Sequence, residues 1–356
     1  MTKYTVGSLF AGVGGICQAF KDASCNVLWA NEIDKNACKT YLLNHRYTKL
    51  IEEDIKILSA QKLEKIDILT AGFPCQPFSV AGHGKGFNDE RGKLFFDFIR
   101  LLKDLKPKAY LLENVKSIVT HDNGKSFNKV INVIREAGYS FIPFVLNASE
   151  YTEIPQGRER IYIVGFINEA DYFFAKPTKI NDNSLENAIH SSLFRIPKKS
   201  KKPLKSIKDF LEHSTVSSAD YYNKKDDKIH SIVLRDVLEK NIVYQFRRYY
   251  VRRNKSNVCP TLTANMGSGG HNIPIILDGR TPRRLTPKEC FNLQGFPQKF
   301  KLPNDISKSQ LYKQSGNTVV VPMVKKIAKE IVRVLDVVNC SVPRIVSANL
   351  PSRLAA

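Results

Sequence analysis

Cys75 lies in the stretch Gly72-Phe73-Pro74-Cys75-Gln76-Pro77-Phe78-Ser79, directly after the apolar run Ile66–Ala71. A thiolate is a strong nucleophile even though a free thiol is little ionised at neutral pH. The prolines on either side of Cys75 stiffen the loop, as holding a nucleophile in place requires. The plain alternative is a buried sulfur that only packs. No second Cys or His stands at ligand spacing, so no metal is expected. Glu113 ends a second apolar run, Ala109–Glu113, where a carboxylate is costly unless it has a partner or a task. Arg158 and Arg160 precede a third run, Ile161–Phe166, and strand alternation points both to one side. For each of these charges, surface ion pairing is the competing reading. Together, a thiol, a carboxylic acid and two guanidiniums match addition to an electron-poor ring. With cytosine, Cys75 would add to C6 while Glu113 donates to N3 and accepts from the exocyclic amine. C5 would then be nucleophilic enough to take a methyl group from a sulfonium. The arginines would hold the base oxygen and a nearby phosphate. Because C6 lies inside the duplex stack, the base must first be flipped out.

Elements that position such a set are legible up to about residue 167. Strands are predicted at Thr5–Phe10, Asn26–Ala30, Ile66–Ala71, Ala109–Glu113, Ser140–Leu146 and Ile161–Phe166. Helices are predicted at Ile16–Ala23, Lys35–Asn44, Leu94–Leu105 and Ser126–Ala137. Strand–helix alternation with short connections predicts an α/β fold with a doubly wound, mostly parallel sheet. Ligands bind such sheets beyond the carboxyl ends of the strands. The cluster Phe10-Ala11-Gly12-Val13-Gly14-Gly15 occupies that position after the first strand. Glu32 follows the second strand and can bind ribose hydroxyls; Asp54 follows a possible short third strand. This reads as a nucleoside site and leaves open a dinucleotide or another adenosine cofactor. The polar, glycine-rich segment 80–93 has the composition of a lid.

The chain has 356 residues, 42% hydrophobic and 25% charged, the usual balance of a globular protein. No stretch is apolar enough to span a membrane, and the N-terminus lacks signal-peptide features. The seven cysteines form no C-x-x-C pair and fit reduced cytoplasmic thiols. The formal net charge is +21, which suits a polyanionic partner. Residues 176–275 carry 19 Lys and Arg against 9 Asp and Glu, including KKSKK (198–202) and YQFRRYYVRR (244–253). Aromatics interleaved with arginines point to a nucleic-acid surface. Residues 171–280 show no strand–helix alternation and are expected to form a smaller second domain with much irregular structure. Order resumes with a capping box at Thr286 and Glu289, predicting a helix to about Leu293. A last helix is predicted over Val319–Leu335, followed by a flexible tail, 339–356.

With these residues in hand, the sequence resembles the DNA (cytosine-5) methyltransferase family of the compact bacterial restriction-modification type. The matching segments run in the family's order: FAGVGG (10–15), NEID (31–34), EDI (53–55), GFPCQPFS (72–79), RGKLFFD (91–97), LLENV (111–115), QGRERIYIVGF (156–166), RRLTPKECFNLQGFP (283–297) and QSGNTVVVP (314–322). The resemblance implies a seven-stranded S-adenosylmethionine-dependent methyltransferase fold. Residues 1–170 and 281–338 would form the catalytic domain and 171–280 the target-recognition domain. It makes Cys75 the nucleophile, Glu113 its partner on the ring, and Arg158 and Arg160 pocket and support residues. Phe10, Gly12, Gly14, Gly15, Glu32, Ile33, Asp54, Ile55, Pro74, Leu94, Asn317 and Val319 would surround the S-adenosylmethionine. Ser79 and His83 would meet the flipped base or its gap. The resemblance places Thr261, Gly269 and Gly270 against DNA, and the aromatic-basic run adds Arg247, Arg248, Arg252 and Arg253 as DNA contacts. Glu53 departs from the family pattern, in which many members have Gly.

The implied activity is sequence-specific methylation of cytosine C5 through a covalent Cys75 adduct, protecting host DNA. The implied setting is a bacterial cytoplasm, at the nucleoid. A monomer acting on double-stranded DNA is expected, without a membrane partner. A cognate restriction endonuclease would act on the same site without stable binding. The alternative within the fold is a tRNA cytosine-5 methyltransferase of the DNA-methylase-like type. A nicotinamide-dependent oxidoreductase would leave Cys75, the arginine pair and the charge unexplained, and a catalytically dead binder would leave Cys75 and Glu113 without a purpose.

Overall fold

The computed structural model describes residues 4–74, 89–167, 193–224, 227–254, 258–268 and 273–341. Its first part alternates strand and helix: β1 (Thr5–Leu9), α1 (Gly15–Lys21), β2 (Asn26–Asn31), α2 (Lys35–Asn44), β3 (Lys49–Ile51), β4 (Ile68–Ala71) and α3 (Glu90–Leu105). There follow β5 (Ala109–Val115), α4 (Lys125–Glu136), β6 (Ile142–Asn147), the single turn α5 (Ala148–Tyr151), β7 (Gln156–Gly157) and β8 (Glu159–Phe166). Seven strands form one sheet in the order β3-β2-β1-β4-β5-β8-β6. The first five pair in parallel, whereas β8 runs antiparallel to β5 and β6. The chain winds outward from β1 to β3, then restarts at β4 on the other side. The switch point therefore lies between β1 and β4, and a crevice opens there beyond the strand ends. The glycine loop and the Gly72–Pro74 segment leave the sheet at that place.

Every residue of β4 is buried, as a parallel strand covered on both faces must be. Alternation sends Ile68 to one core layer and Leu69 to the other. On the second layer α3 lays Phe95, Phe98, Leu101 and Leu102 against the sheet, the helical spacing read from the sequence.

The later part contains α6 (Lys228–Asp236), β9 (Tyr244–Arg247), β10 (Tyr250–Arg253), β11 (Cys259–Pro260), β12 (Pro274–Asp278), β13 (Thr281–Arg284), α7 (Pro287–Leu293), α8 (Lys308–Asn317) and α9 (Val321–Ser341). Strands β10-β9-β12-β13 make a four-stranded antiparallel sheet. It covers a small core of Tyr222, Val233, Val237, Tyr244, Phe246 and Ile275. Thr286 and Glu289 form the expected capping box, with reciprocal bonds of 3.3 and 2.8 Å.

Among the described residues of 171–280, 193–224 hold short 3-10 turns and irregular chain, whereas β9, β10 and β12 pair in the four-stranded sheet. The chain turns at Gly279, and β13 pairs with β12, so this sheet runs on past residue 280. Part of that stretch also packs on the first sheet, where the Phe194 and Phe144 rings stack 5.6 Å apart. Finally, α9 continues past Leu335 to Ser341, so the expected tail does not begin at 339. Asn339 donates to the Tyr4 hydroxyl at 2.9 Å, and that hydroxyl donates to Asp336 at 2.7 Å, which ties the helix end to the start of the sheet. No described helix is long and apolar enough to cross a membrane.

Candidate active site

The glycine loop turns sharply after β1. Phe10, Gly12 and Gly14 all have left-handed backbones, with φ of 52°, 56° and 87°. For Phe10 that geometry is strained, and such strain concentrates at ligand sites. A Cβ on Gly12 would meet nothing within 4 Å, so the loop faces open space there. Glu32 fixes the loop: its Oε2 accepts from the Gly12 N–H at 2.7 Å. Its Oε1 accepts from the Ile33 and Asp34 N–H groups at 2.9 and 2.8 Å. An ionised carboxylate has about four acceptor positions, so three bonds leave room for a hydroxyl. Ile33 beside it is a large apolar side chain left 63% exposed.

Behind these residues the frame is rigid. Asn31 donates to the Ile51 and Glu53 carbonyls at 3.1 and 2.7 Å, so the position-53 backbone is held whatever side chain it carries. Asp54 is half-buried and accepts from the Lys56 N–H at 3.0 Å. Ile55 is buried, and its carbonyl accepts from Arg100 at 2.7 Å. Pro74 and Leu94 are half-buried. The C-terminal segment closes on the loop: a Cβ on Gly15 would lie 2.2 Å from Thr318 Oγ1 and 3.1 Å from Val319 Cγ2. Val319 is buried and Asn317 is exposed. An open cradle, a carboxylate with remaining acceptor capacity and an uncovered aliphatic surface fit a nucleoside, with its ribose hydroxyls and planar base.

Glu113 stands on β5 opposite Tyr162 of β8. Its Oε1 lies 3.2 Å from Arg160 Nε, with both side chains mostly buried. Burial raises the Glu113 pKa, Arg160 and then Arg158 oppose the rise, and the net shift is upward. A carboxyl poised this way holds a proton more readily than an exposed glutamate and can donate it. The Cβ position of Gly72 is 3.6 Å from Glu113 Oε2, and Asn114 donates to the Phe73 carbonyl at 3.2 Å. The end of β5 thus grips the segment that leads, within three residues, to Cys75. Cys75 itself, Ser79, His83, Gly269 and Gly270 lie outside the described residues.

Arg158 and Arg160 differ in their partners. Arg158 is 3% exposed, and its terminal nitrogens donate to three carbonyls: Leu262 at 2.7 Å, Gly316 at 3.0 Å and Thr318 at 2.7 Å. It ties the segment around Leu262 to the C-terminal segment at Gly316 and Thr318, while Arg160 forms the ion pair with the Glu113 carboxylate. Both guanidiniums lie close enough to the Glu113 carboxyl to oppose its upward shift. Thr261 is likewise anchored to the scaffold, donating to the Gly157 carbonyl at 2.5 Å.

The basic ribbon divides by face. Register places Gln245, Arg247, Tyr250 and Arg252 on its outer side, and Tyr244, Phe246 and Val251 on the core side. The buried Gln245 carboxamide oxygen accepts from Arg247 and Arg252, each at 3.2 Å, and so aligns two exposed guanidiniums. Arg253 alternates away from this face and pairs with Glu239 at 2.7 Å. Arg248 lies in the turn, with φ 52°. Part of KKSKK is paired instead of standing open: Lys199 with Glu150 of α5 at 2.6 Å and Lys202 with Glu153, just after it, at 3.1 Å. The ties from Gln245 and the bracing by Arg158 went unnoticed in the sequence. For Gln245, the alternation Tyr-Gln-Phe-Arg is a signal that could have placed it beside Arg247.

Comparison with known proteins comes from three directions. The family profile described as C-5 cytosine-specific DNA methylase matches residues 4–333. The Type II methyltransferase M.Bsp6I of Bacillus sp. (strain RFL6) is 44% identical over 329 residues, covering 92% of this chain and 98% of that protein. M.NlaX of Neisseria lactamica, also a Type II methyltransferase, is 37% identical over 341 residues, covering 94% and 98%. A solved structure described as a putative DNA modification methyltransferase encoded within an E. coli prophage superposes with TM-score 0.67 at 24% identity. That superposition spans 94% of this chain and all of that one (100%), and it supports the fold.

Proposed function

The chain belongs to the C-5 cytosine-specific DNA methylase family, and from that premise we propose that it methylates C5 of a cytosine flipped out of double-stranded DNA, through a transient bond from Cys75 to C6. The observation that carries this reading is the Glu113 carboxyl. Its pKa is raised by burial, it is faced by Arg160 at 3.2 Å, and it lies against the strand end that leads to Cys75. As the Cys75 sulfur bonds to C6, Glu113 gives its proton to N3, so negative charge does not accumulate on the ring. Arg160 holds the Glu113 carboxylate that results. C5 then takes the methyl group and loses its proton to a base, and the C6–S bond breaks to return the thiolate as N3 gives its proton back to Glu113.

S-adenosylmethionine, when bound, supplies the electrophilic methyl carbon. Glu32 would accept from its ribose, with Gly12, Ile33, Asp54, Ile55, Pro74, Leu94 and Val319 around it and Asn317 at the rim. Arg158 keeps that site and the segment around Thr261 in one frame. Target recognition falls to the outer face of the four-stranded sheet, where Arg247 and Arg252 would meet phosphates or base edges. Arg248, exposed in the turn between β9 and β10, would add to these contacts, and Ser79, His83, Gly269 and Gly270 would line the path of the extruded base. We read the protein as a monomer in a bacterial cytoplasm, working at the nucleoid. There it protects sites that a separate restriction endonuclease cuts.

The test is transfer of a radiolabelled methyl group from S-adenosylmethionine to duplex DNA, to tRNA and to neither. Label in DNA at one cytosine context supports the reading; label in tRNA alone, or none, removes it.

A further inference from the structure

Beside the glycine loop lies a buried titratable pair that the proposed reaction does not use. His45 follows α2 and is 1% exposed. Its ring rests on Tyr41 with centroids 4.4 Å apart. Nε2 is 3.3 Å from the Val13 carbonyl oxygen, and Nδ1 is 3.2 Å from the Lys21 ammonium on α1. A carbonyl can only accept and an ammonium can only donate. The ring must therefore carry its proton on Nε2 and accept at Nδ1. Burial first, then the Lys21 charge, depresses the His45 pKa to about 3, so the ring is neutral under ordinary conditions. His45 also explains Gly14: a Cβ there would lie 2.1 Å from Nε2, and its φ of 87° already favours glycine.

The loop is thus held from both sides by the segment that runs from β2 through α2. Glu32 accepts from the Gly12 N–H, and the His45 Nε2–H donates a hydrogen bond to the next residue's carbonyl, that of Val13. We propose that His45, locked as the Nε2–H tautomer by Lys21, is a positioning residue for cofactor binding: its bond to Val13 sets the curvature that leaves Gly12 open. This rests on reading the loop as the S-adenosylmethionine site. Helix α2 is itself clamped to the C-terminal segment, with Lys313 on Asp34 at 2.8 Å and Thr40 donating to Gln314 at 2.8 Å. The histidine therefore works from a fixed base.

The experiment measures S-adenosylhomocysteine binding by calorimetry for the wild type, His45→Phe and His45→Gln. DNA affinity without cofactor and thermal stability are followed alongside. Phenylalanine keeps a ring but no donor, and should weaken the nucleoside about fivefold, the usual worth of one neutral hydrogen bond. Glutamine restores an N–H donor and should bind within about twofold of wild type. Neither should change DNA affinity. Nitrogen NMR of the wild type should show His45 protonated on Nε2 alone, and Lys21→Met should loosen that preference; both readings stand even if His45→Phe does not fold. Unchanged affinity in a folded His45→Phe, or a wild-type proton on Nδ1, overturns the proposal. A wild type that does not bind the nucleoside overturns the cofactor reading beneath it.

Discussion

At the crevice edge of the seven-stranded sheet, charge is buried and partnered within the chain. On the outer face of the four-stranded sheet it is exposed. Glu113 meets Arg160, Glu32 accepts three N–H groups, and Arg158 is enclosed among three carbonyls. On the ribbon, Arg247 and Arg252 stand in solvent and share one carboxamide oxygen. The first arrangement fixes a reacting geometry before substrate arrives, which is how preorganised electrostatics lower a barrier. The second presents charge that a polyanion can neutralise, with release of counterions. On the proposed function, the first region would serve chemistry on a small group and the second contact along a polymer.

The sharpest way to break this contrast is at the edge. Cys75→Ser should abolish methyl transfer, and Glu113→Gln should lower kcat by about 10²–10⁴-fold, as loss of a positioned proton donor does. Nucleoside affinity should stay within a few-fold in both. Retained turnover in either variant would place the reaction elsewhere. A stability comparison comes next. Arg158→Met leaves three buried carbonyls without their donor and should cost about 3–5 kcal/mol in denaturant unfolding. Arg252→Ala on the ribbon should stay within about 0.5 kcal/mol of wild type. Equal losses would dissolve the distinction.

DNA affinity sharpens it from the other side. Arg247→Ala and Arg252→Ala should each weaken DNA binding about tenfold and reduce the salt slope by about one, without changing nucleoside affinity. A flat salt dependence in the wild type would mean that the ribbon does not face phosphate. The smallest effect is acid sensitivity. His45 is depressed to about 3 in the fold from an ordinary 6.5. Between those values the unfolded chain binds the extra proton, so stability falls as pH drops below about 6.5. His45→Gln should lose less stability than wild type between pH 7 and 5, and identical acid profiles would contradict the buried neutral ring.

Legibility followed the same divide. Runs such as Ile68–Ala71, and the spacing of Phe98, Leu101 and Leu102, announce buried strands and a covering helix from local pattern alone. Placing Glu113 and the glycine loop at strand ends then followed from fold geometry. What local pattern could not give was long-range pairing. The ribbon strands β9 and β10 form a local hairpin of short, charged segments, and its join to the rest of the sheet, β9 to β12, spans some thirty residues, so the run reads as an irregular basic stretch. Helix α8, KSQLYKQSGN, is too polar to show a face, although its last turn helps close the loop. Arg158 looked equivalent to Arg160 because both precede one strand. Only the approach of residues 262, 316 and 318 separates a brace from a pocket residue. His45 gave no signal at all, since its partners come from two different helices and a loop.

The most direct measurement places 5-fluorocytosine at the target site of a duplex and incubates it with the protein and S-adenosylmethionine. Fluorine cannot leave C5 as a proton does, so the sulfur–carbon bond should persist. A protein–DNA band should survive a denaturing gel in the wild type and vanish in Cys75→Ser. Protein running only at its unbound mobility, while methylation of ordinary DNA proceeds, would contradict thiolate addition and the account built on it.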